Sequence, residues 1–172
     1  KDITNLNSLT KWVQDQFDTK LNWDDVKRIK DWWGGKLIIK GIMDPDDAKM
    51  AKKCGADALV VSNHGGRQLD GVNSSISTLP EIKKAVSNME VLMDGGISSG
   101  QDILKAIAMG AEGVMIGRSF VYGLSAGGKE GVTKSLEILN KELDMTMALC
   151  GRRDIKDVGR DIIKDCPFFE KN

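Results

Sequence analysis

The chain is poor in the residues that bind metals and form disulfides. It has one histidine, His64, and three cysteines, Cys54, Cys150 and Cys166, among 172 residues. The cysteines are odd in number and widely spaced, with no CxxC pair and no zinc-ligand spacing. The pattern therefore argues against a disulfide framework and a cysteine-based metal site. Reduced thiols in a cytoplasmic compartment are the expectation.

The chain has neither an excess of one charge nor a long apolar run. Because 25 Lys and Arg residues balance 25 Asp and Glu residues, the composition argues against nucleic-acid binding and provides no polybasic membrane tag. No apolar run approaches the roughly 20 residues that cross a bilayer, and no secretory signal pattern is visible. The length and the 41% hydrophobic content fit one globular domain. The chain begins at Lys1 without a methionine, which favours a piece of a longer protein.

Four short apolar runs predict a parallel sheet. Nearly all of their residues are apolar instead of alternating with polar ones, which is typical of strands buried on both faces. A helix pattern follows each run, so the chain is predicted to repeat a strand–helix unit four times. The runs cover residues 36–41, 58–62, 91–93 and 113–116.

Capping residues and glycines mark the predicted helices. Asp44 and Pro45 are typical of an N-cap and a first helical position, and Gly55 is the stop signal of that helix. The next helix is predicted to open at Leu79-Pro80-Glu81, after a loop that runs to Thr78. Two more are predicted over 101–109, with Ser98 or Ser99 as cap, and over about 129–149.

The first 35 residues differ from the rest of the chain. Apolar residues at helical spacing predict one helix over about 6–17 and a second over 24–33, which Gly34 and Gly35 end. Packing is the favoured role for the tryptophans Trp23, Trp32 and Trp33. The predicted organisation is a helical lead-in at 1–35, four βα units at 36–160 and a tail at 161–172.

Each predicted strand ends in polar residues beside glycine. In sheets built from βα units, functional groups collect at the carboxyl ends of the strands. His64 can exchange a proton near neutral pH, and Arg67 can hold a carboxylate through two parallel hydrogen bonds. This pair suits chemistry on a small carboxylic acid. The other strand ends carry Lys40, Asp94 and Arg118.

Glycines after the last two strands indicate a phosphate site. Gly95, Gly96 and Gly117 let the backbone come close to a ligand, and N–H groups at the start of each following helix can bind an anion. Arg118 adds a positive charge. Taken singly, an Asp-Gly turn or a Gly-Arg pair is ordinary. Polar residues at equivalent places on all four strands together favour a functional site.

Several motifs together resemble the FMN-dependent enzymes that oxidise α-hydroxy acids, a family that includes L-lactate dehydrogenases, glycolate oxidase and mandelate dehydrogenase. The most specific is SNHGGRQLD at 62–70; the others are NWDDV at 22–26, LIIKG at 37–41, DGGI at 94–97, GVMIGR at 113–118 and LDMTMALCG at 143–151. The likeness runs from about residue 10 to about residue 160. It implies a (β/α)₈ TIM barrel in which these four strands are strands five to eight. The chain would then be the C-terminal half of the barrel, preceded by helices of the excursion after strand four.

The resemblance implies FMN as cofactor and a role for each strand end. His64 would be the base that takes a proton from carbon or oxygen of an L-2-hydroxy acid, L-lactate above all, and Arg67 would hold its carboxylate. Lys40, Ser62 and Asp94 would contact the flavin, and Gly95, Gly96, Gly117 and Arg118 would receive its phosphate. The family usually has Arg where this chain has Ser98, which should weaken FMN binding about tenfold or more.

Three functions stay open at this point. The parent protein is an FMN-dependent L-2-hydroxy-acid dehydrogenase or oxidase, of which this part alone has little turnover because half of the site is absent. Alternatively, the chain is a catalytically silent half-barrel that keeps the phosphate site and pairs with the missing N-terminal half or a second copy of itself. A third reading is another FMN or phosphate-binding barrel, such as a relative of type 2 isopentenyl diphosphate isomerase or inosine monophosphate dehydrogenase, which lacks the His64–Arg67 pair.

The resemblance also bears on assembly and location. It implies a tetrameric parent in the cytoplasm, and it leaves open a peripheral attachment to the inner membrane through the missing excursion. The exact acid and the electron acceptor, whether oxygen, quinone or cytochrome, also stay open.

Overall fold

The computed structural model describes residues 18–164 together with positions 9, 10, 12 and 15. The predicted helix over 6–17 therefore lies largely outside the described residues, as do Cys166 and most of the predicted tail. The helices and strands are, in chain order, α1 (Trp23–Trp33), β1 (Ile38–Ile42), α2 (Pro45–Lys53), β2 (Ala58–Val61), α3 (Ser75–Ala85), β3 (Glu90–Met93), α4 (Gly100–Ala108), β4 (Gly113–Val114) and α5 (Arg118–Leu149).

The strands form one parallel sheet in the order β1-β2-β3-β4. Lys40 is aligned with Val60, Val60 with Leu92, and Leu92 with Gly113. Each strand is joined to its neighbour through a helix, which confirms the predicted βα repeat. Within the described part of the chain, β1 and β4 each pair on one side only.

The main core lies between the sheet and the helices. Leu59, Val61 and Val91 are fully buried there together with Leu79 and Ile82 of α3. Side chains alternate between the two faces of a strand, so the neighbours of these residues point to the opposite face. On that face Ala58 and Val60 are buried, whereas Ile38 is 52% exposed and Met115 42% exposed. The central strand β2 is thus apolar and buried on both faces, as predicted.

Two of the predicted helix starts are confirmed. The Asp44 carboxylate accepts a hydrogen bond from the backbone N–H of Asp46 at 2.7 Å, and Pro45 is the first residue of α2. Of the two serines left open as the cap of α4, the structure selects Ser99. Each cap satisfies N–H groups that the first turn of a helix leaves without a partner.

The start of α3 differs from the prediction. Ser74 is the N-cap and Ser75 the first residue, so Pro80 lies inside the helix instead of opening it. The Ser74 carbonyl accepts a hydrogen bond from the Thr78 hydroxyl at 3.2 Å, which reinforces the first turn. The face of α3 that packs on the sheet is buried. This tertiary packing outweighs the backbone hydrogen bond that Pro80 cannot make.

The last unit also differs from the prediction. β4 covers two residues, although the N–H of Met115 still donates to the Met93 carbonyl at 2.8 Å. The helix that follows begins at Arg118 instead of near residue 129. Gly127 and Gly128 interrupt it, Gly128 with φ +57°, so the predicted start is a break within α5.

The tryptophan prediction is wrong in part. Trp23 packs against the core, but Trp32 is 76% exposed and Trp33 67% exposed. No residue of α1 is fully buried, and the guanidinium of Arg28 lies 5.3 Å from the ring centre of Trp32. Of the helices that the structure describes, none is both long and apolar enough to span a bilayer.

Candidate active site

Three strand ends meet at the ammonium group of Lys40. Its Nζ donates to the hydroxyl of Ser62 at 2.8 Å and lies 2.9 Å from Oδ2 of Asp94. Ser62 is only 1% exposed, and its hydroxyl also accepts the backbone N–H of His64 at 3.1 Å. The parallel register of β1, β2 and β3 places these residues at the same edge of the sheet. The side chains expected to face the flavin are therefore in direct contact.

One carboxylate oxygen of Asp94 accepts no hydrogen bond from the described residues. This atom, Oδ1, is buried. A buried carboxylate oxygen that lacks a donor is costly and rare in folded proteins. The arrangement therefore favours a ligand that carries a hydroxyl or another donor at this point.

His64 lies beside β1 at the start of a tight turn. A 3₁₀ turn covers His64–Gly66, and a Cβ atom on Gly41 would lie 2.9 Å from Cε1 of the imidazole. Because Gly41 has no side chain, the imidazole of His64 can lie directly against the backbone of β1. The N–H of Arg67 donates to the His64 carbonyl at 3.4 Å, so both residues belong to the same turn. Arg67 is exposed, and its guanidinium makes no hydrogen bond or ion pair with any described residue.

A cavity of about 440 Å³ lies beside this turn. Gly95, Gly96 and Arg118 line it, as the phosphate prediction requires, together with Gly65 and Gly66. Gly117 does not line the cavity, but it is the N-cap residue directly before α5 and provides no side-chain cap. The first N–H groups of α5 are therefore open to an anion.

The start of α4 is a different case. The N–H groups of Ser98 and Ser99 donate to Oδ2 of Asp102 at 3.1 and 3.0 Å, and that of Gly100 donates to Oε2 of Glu142 at 2.8 Å. Two carboxylates of the chain thus occupy the place expected for an external anion. The start of α4 is thus capped by side chains of the chain itself, whereas the start of α5 has no side-chain cap.

Asp102 also lines the cavity and contributes a negative charge to it. Burial raises the pKa of this carboxyl, but hydrogen bonds from Ser99 and Ser98 outweigh burial and hold the pKa below its ordinary value. Lys105 and Arg118 bring positive charge to the same cavity. The sequence pattern signalled Arg118 but gave no sign that Asp102 and Lys105 would line the same space.

A sequence profile of FMN-dependent dehydrogenases matches residues 2–165. The chain belongs to the FMN-dependent dehydrogenase family. This confirms the resemblance drawn from the motifs, and FMN is the cofactor of the family.

Curated relatives of this member of the family include two bacterial L-lactate dehydrogenases. The protein from Caulobacter vibrioides strain NA1000 / CB15N is 48% identical over 161 residues, which are 93% of this chain and 42% of the relative. The protein from Stenotrophomonas maltophilia strain R551-3 is 46% identical over 165 residues, which are 95% of this chain and 44% of the relative. The chain thus spans less than half the length of these relatives.

Solved structures of mandelate oxidase confirm the fold. The structure with (S)-4-hydroxymandelic acid superposes with a TM-score of 0.78 and 43% identity, over 81% of this chain and 40% of that one. A mandelate oxidase mutant with a monooxide FMN adduct matches equally well, over 45% of its own chain. The four βα units are therefore part of an α/β barrel, as predicted. The residue roles and the domain boundaries stay predictions.

Proposed function

We propose that this chain supplies the flavin phosphate site, the base and the carboxylate clamp of an FMN-dependent enzyme that oxidises L-2-hydroxy acids. The observation that carries the proposal is the contact of Lys40, Ser62 and Asp94 at one sheet edge, with the spare oxygen of Asp94 buried there. L-lactate is the first substrate to test, because the relatives named above are L-lactate dehydrogenases.

The residues present fit FMN. Gly95 and Gly96 bring backbone close to the cavity, and the uncapped start of α5 with Arg118 provides N–H groups and a guanidinium for the phosphate. Oδ1 of Asp94 can accept a hydrogen bond from a ribityl hydroxyl. Lys40 can place its positive charge beside the flavin ring, where it would favour the reduced, anionic state.

The side chains of the turn after β2 provide the rest of the chemistry. Arg67, exposed and unpaired among the described residues, binds the substrate carboxylate through two N–H donors and so orients the α-carbon. An imidazole nitrogen of His64 takes the proton that leaves the hydroxyl or the α-carbon. When bound, FMN supplies the acceptor for the two electrons that leave the hydroxy acid. The product is the corresponding 2-oxo acid.

Flavin binding to the chain tests the phosphate site. We expect FMN to bind more tightly than riboflavin, which lacks the phosphate, and Arg118→Met to reduce the affinity for FMN about tenfold with little effect on riboflavin. Quenching of flavin fluorescence measures both affinities. Equal affinity for the two flavins in the unaltered chain would contradict the proposed phosphate site.

Catalysis is tested in a protein that contains the whole barrel. His64→Gln there should reduce lactate oxidation at least about a hundredfold, because the proton then has no acceptor, while FMN stays bound. Arg67→Met should raise KM for the hydroxy acid and lower kcat, since the carboxylate is no longer held. Unaltered turnover in His64→Gln would end the assignment of the base.

The alternative of a silent half-barrel is favoured by one observation. Ile38 and Met115 are exposed on the inner face of the sheet, and the two edge strands pair on one side only within the described residues. We therefore propose that the chain is covered in solution by complementary barrel strands or by a second copy. Light scattering distinguishes these states, and a stable monomer at 18.8 kDa would contradict self-pairing.

A further inference from the structure

His64 has an unusual backbone conformation. Its φ is +54°, and no other residue except glycine has a positive φ among the described residues. This left-handed region is unfavourable for a side chain that carries a Cβ atom, so neighbouring interactions must compensate for the cost. Gly65 and Gly66 adopt the same region freely, but they do not explain why His64 does.

Asn63 fixes the backbone on both sides of this residue. Its Oδ1 accepts the N–H of Gly65 at 3.0 Å, and its Nδ2 donates to the Asn73 carbonyl at 3.3 Å. Its own N–H donates to the hydroxyl of Ser75 at 3.2 Å. The bond to Gly65 closes a side-chain turn around His64, of the kind that Asn residues form with a backbone N–H two positions ahead. The Asn63 side chain therefore spans His64, because it starts from the residue before His64 and binds the backbone of the residue after it.

Ser75 connects this turn to the glycine loop after β3. It is only 2% exposed, although its side chain is polar, and it is the first residue of α3. A Cβ atom on Gly95 would lie 2.9 Å from Oγ of Ser75 and 3.2 Å from Oδ1 of Asn63. The Gly95 backbone thus lies directly against both polar groups, and a Cβ atom at this position would have to displace them.

We propose that Asn63 and Ser75 are positioning residues that hold His64 in its left-handed conformation and tie it to the Gly95 loop. They act through the backbone of His64, and both also line the cavity beside this turn. The base of the reaction and the glycine loop of the phosphate site are thereby held as one unit. The catalytic meaning rests on the proposed function, but the coupling itself is a property of this chain.

The single histidine makes the coupling measurable. In the chain labelled with ¹³C,¹⁵N-histidine, NMR shows one histidine amide, one Cα and one imidazole, all from His64. Asn63→Ala should shift the His64 Cα and amide resonances and, in a uniformly ¹⁵N-labelled sample, raise the hydrogen-exchange rate of Gly65 about tenfold, the factor expected for one lost hydrogen bond. Asn63→Asp keeps the acceptor for Gly65 and should restore a slow exchange rate. Asn73→Ala is the control, because Asn73 contributes only its carbonyl.

Two adjacent glycines give a second, independent comparison. Gly95 and Gly96 both have positive φ, +93° and +79°, but a Cβ on Gly96 would have no heavy atom within 4 Å. Gly95→Ala should therefore shift the His64 resonances, whereas Gly96→Ala carries the same backbone strain and should leave them in place.

The outcomes separate the coupling from the proposed function. A Gly65 exchange rate that stays slow in Asn63→Ala, or His64 resonances that move as much in Gly96→Ala as in Gly95→Ala, would overturn the coupling. If Asn63→Ala does not fold, Asn63→Asp decides, since a fast-exchanging Gly65 in that variant also counts against it. None of these measurements requires turnover, so a failure of lactate oxidation contradicts the proposed function alone.

Discussion

Lys40 and Asp94 are joined across an intervening strand. The ammonium of Lys40, two residues before the end of β1, lies 2.9 Å from Oδ2 of Asp94 after β3, and it also donates to Ser62, which follows β2. The side chains are 37% and 19% exposed, so water screens this pair only in part. One cation therefore holds three strand ends together at the edge of the sheet where the flavin is proposed to bind.

Removal of Lys40 should destabilise the fold. Lys40→Met leaves the Asp94 carboxylate without its cation, and we expect the free energy of unfolding to fall by about 1–3 kcal/mol. The double variant Lys40→Met/Asp94→Asn should lose less than the two single variants added together, because the unpaired charge is then gone. Urea denaturation measures all three. Strictly additive losses would show that the two groups do not interact.

Asp57, at the end of the sheet opposite Asp94, should make the free energy of unfolding depend on pH. Asp57 accepts hydrogen bonds from Lys30 at 2.5 Å, from Lys36 at 2.8 Å and from the N–H of Leu37 at 2.8 Å, and these contacts hold its pKa well below the ordinary value. A carboxyl whose pKa is lower in the folded state contributes stability above its unfolded pKa, and the contribution is lost as the pH falls.

We therefore expect the free energy of unfolding to decrease below about pH 4, and to decrease less steeply in Asp57→Asn. Asp31→Asn is a matched control, because Asp31 is exposed and makes no hydrogen bond or ion pair with the described residues. Urea titrations between pH 3 and pH 7 measure the difference. The same slope in Asp57→Asn and the unaltered chain would contradict the role of Asp57.

Gly100 should not tolerate a side chain. It begins α4 where α4 crosses α5, and a Cβ atom there would overlap the backbone of Glu142 and Leu143. Gly100→Ala should lower the free energy of unfolding by about 2–3 kcal/mol, since backbone must move to make room. Gly127→Ala is the control, because a Cβ at Gly127 has no heavy atom within 4 Å. Thermal unfolding compares the two, and an equal loss would refute the crossing as the cause.

Ser98→Arg should strengthen FMN binding. The unaltered side chain is a small hydroxyl that contacts Asp102, and it brings no charge to the cavity. A guanidinium at this place should raise the affinity for FMN about tenfold and leave that for riboflavin unchanged, because only FMN carries the phosphate. Ser87→Arg adds the same charge at the opposite end of the sheet and serves as the control. An equal gain in both variants would indicate a general effect of net charge.

Local patterns predicted the strands and most of the helix ends. The predicted apolar runs form strands, of which β2 is buried on both faces, and Asp44 and Ser99 cap helices through contacts within a few residues. The same patterns failed at Pro80 and at Gly127, where burial of α3 and a break within α5 overrode the local signal. Signals of short range cannot weigh packing against distant elements.

The residue types in the SNHGGRQ turn and the glycines after β3 and β4 follow from the sequence alone, and they were enough to indicate the family and its cofactor. Tertiary structure decided which groups meet. It brought Lys40 to Asp94, placed Glu142 at the start of α4, and placed Ser75 between Asn63 and Gly95. These contacts join residues far apart in the chain, and their distances depend on how the sheet and the helices pack, which no local pattern encodes.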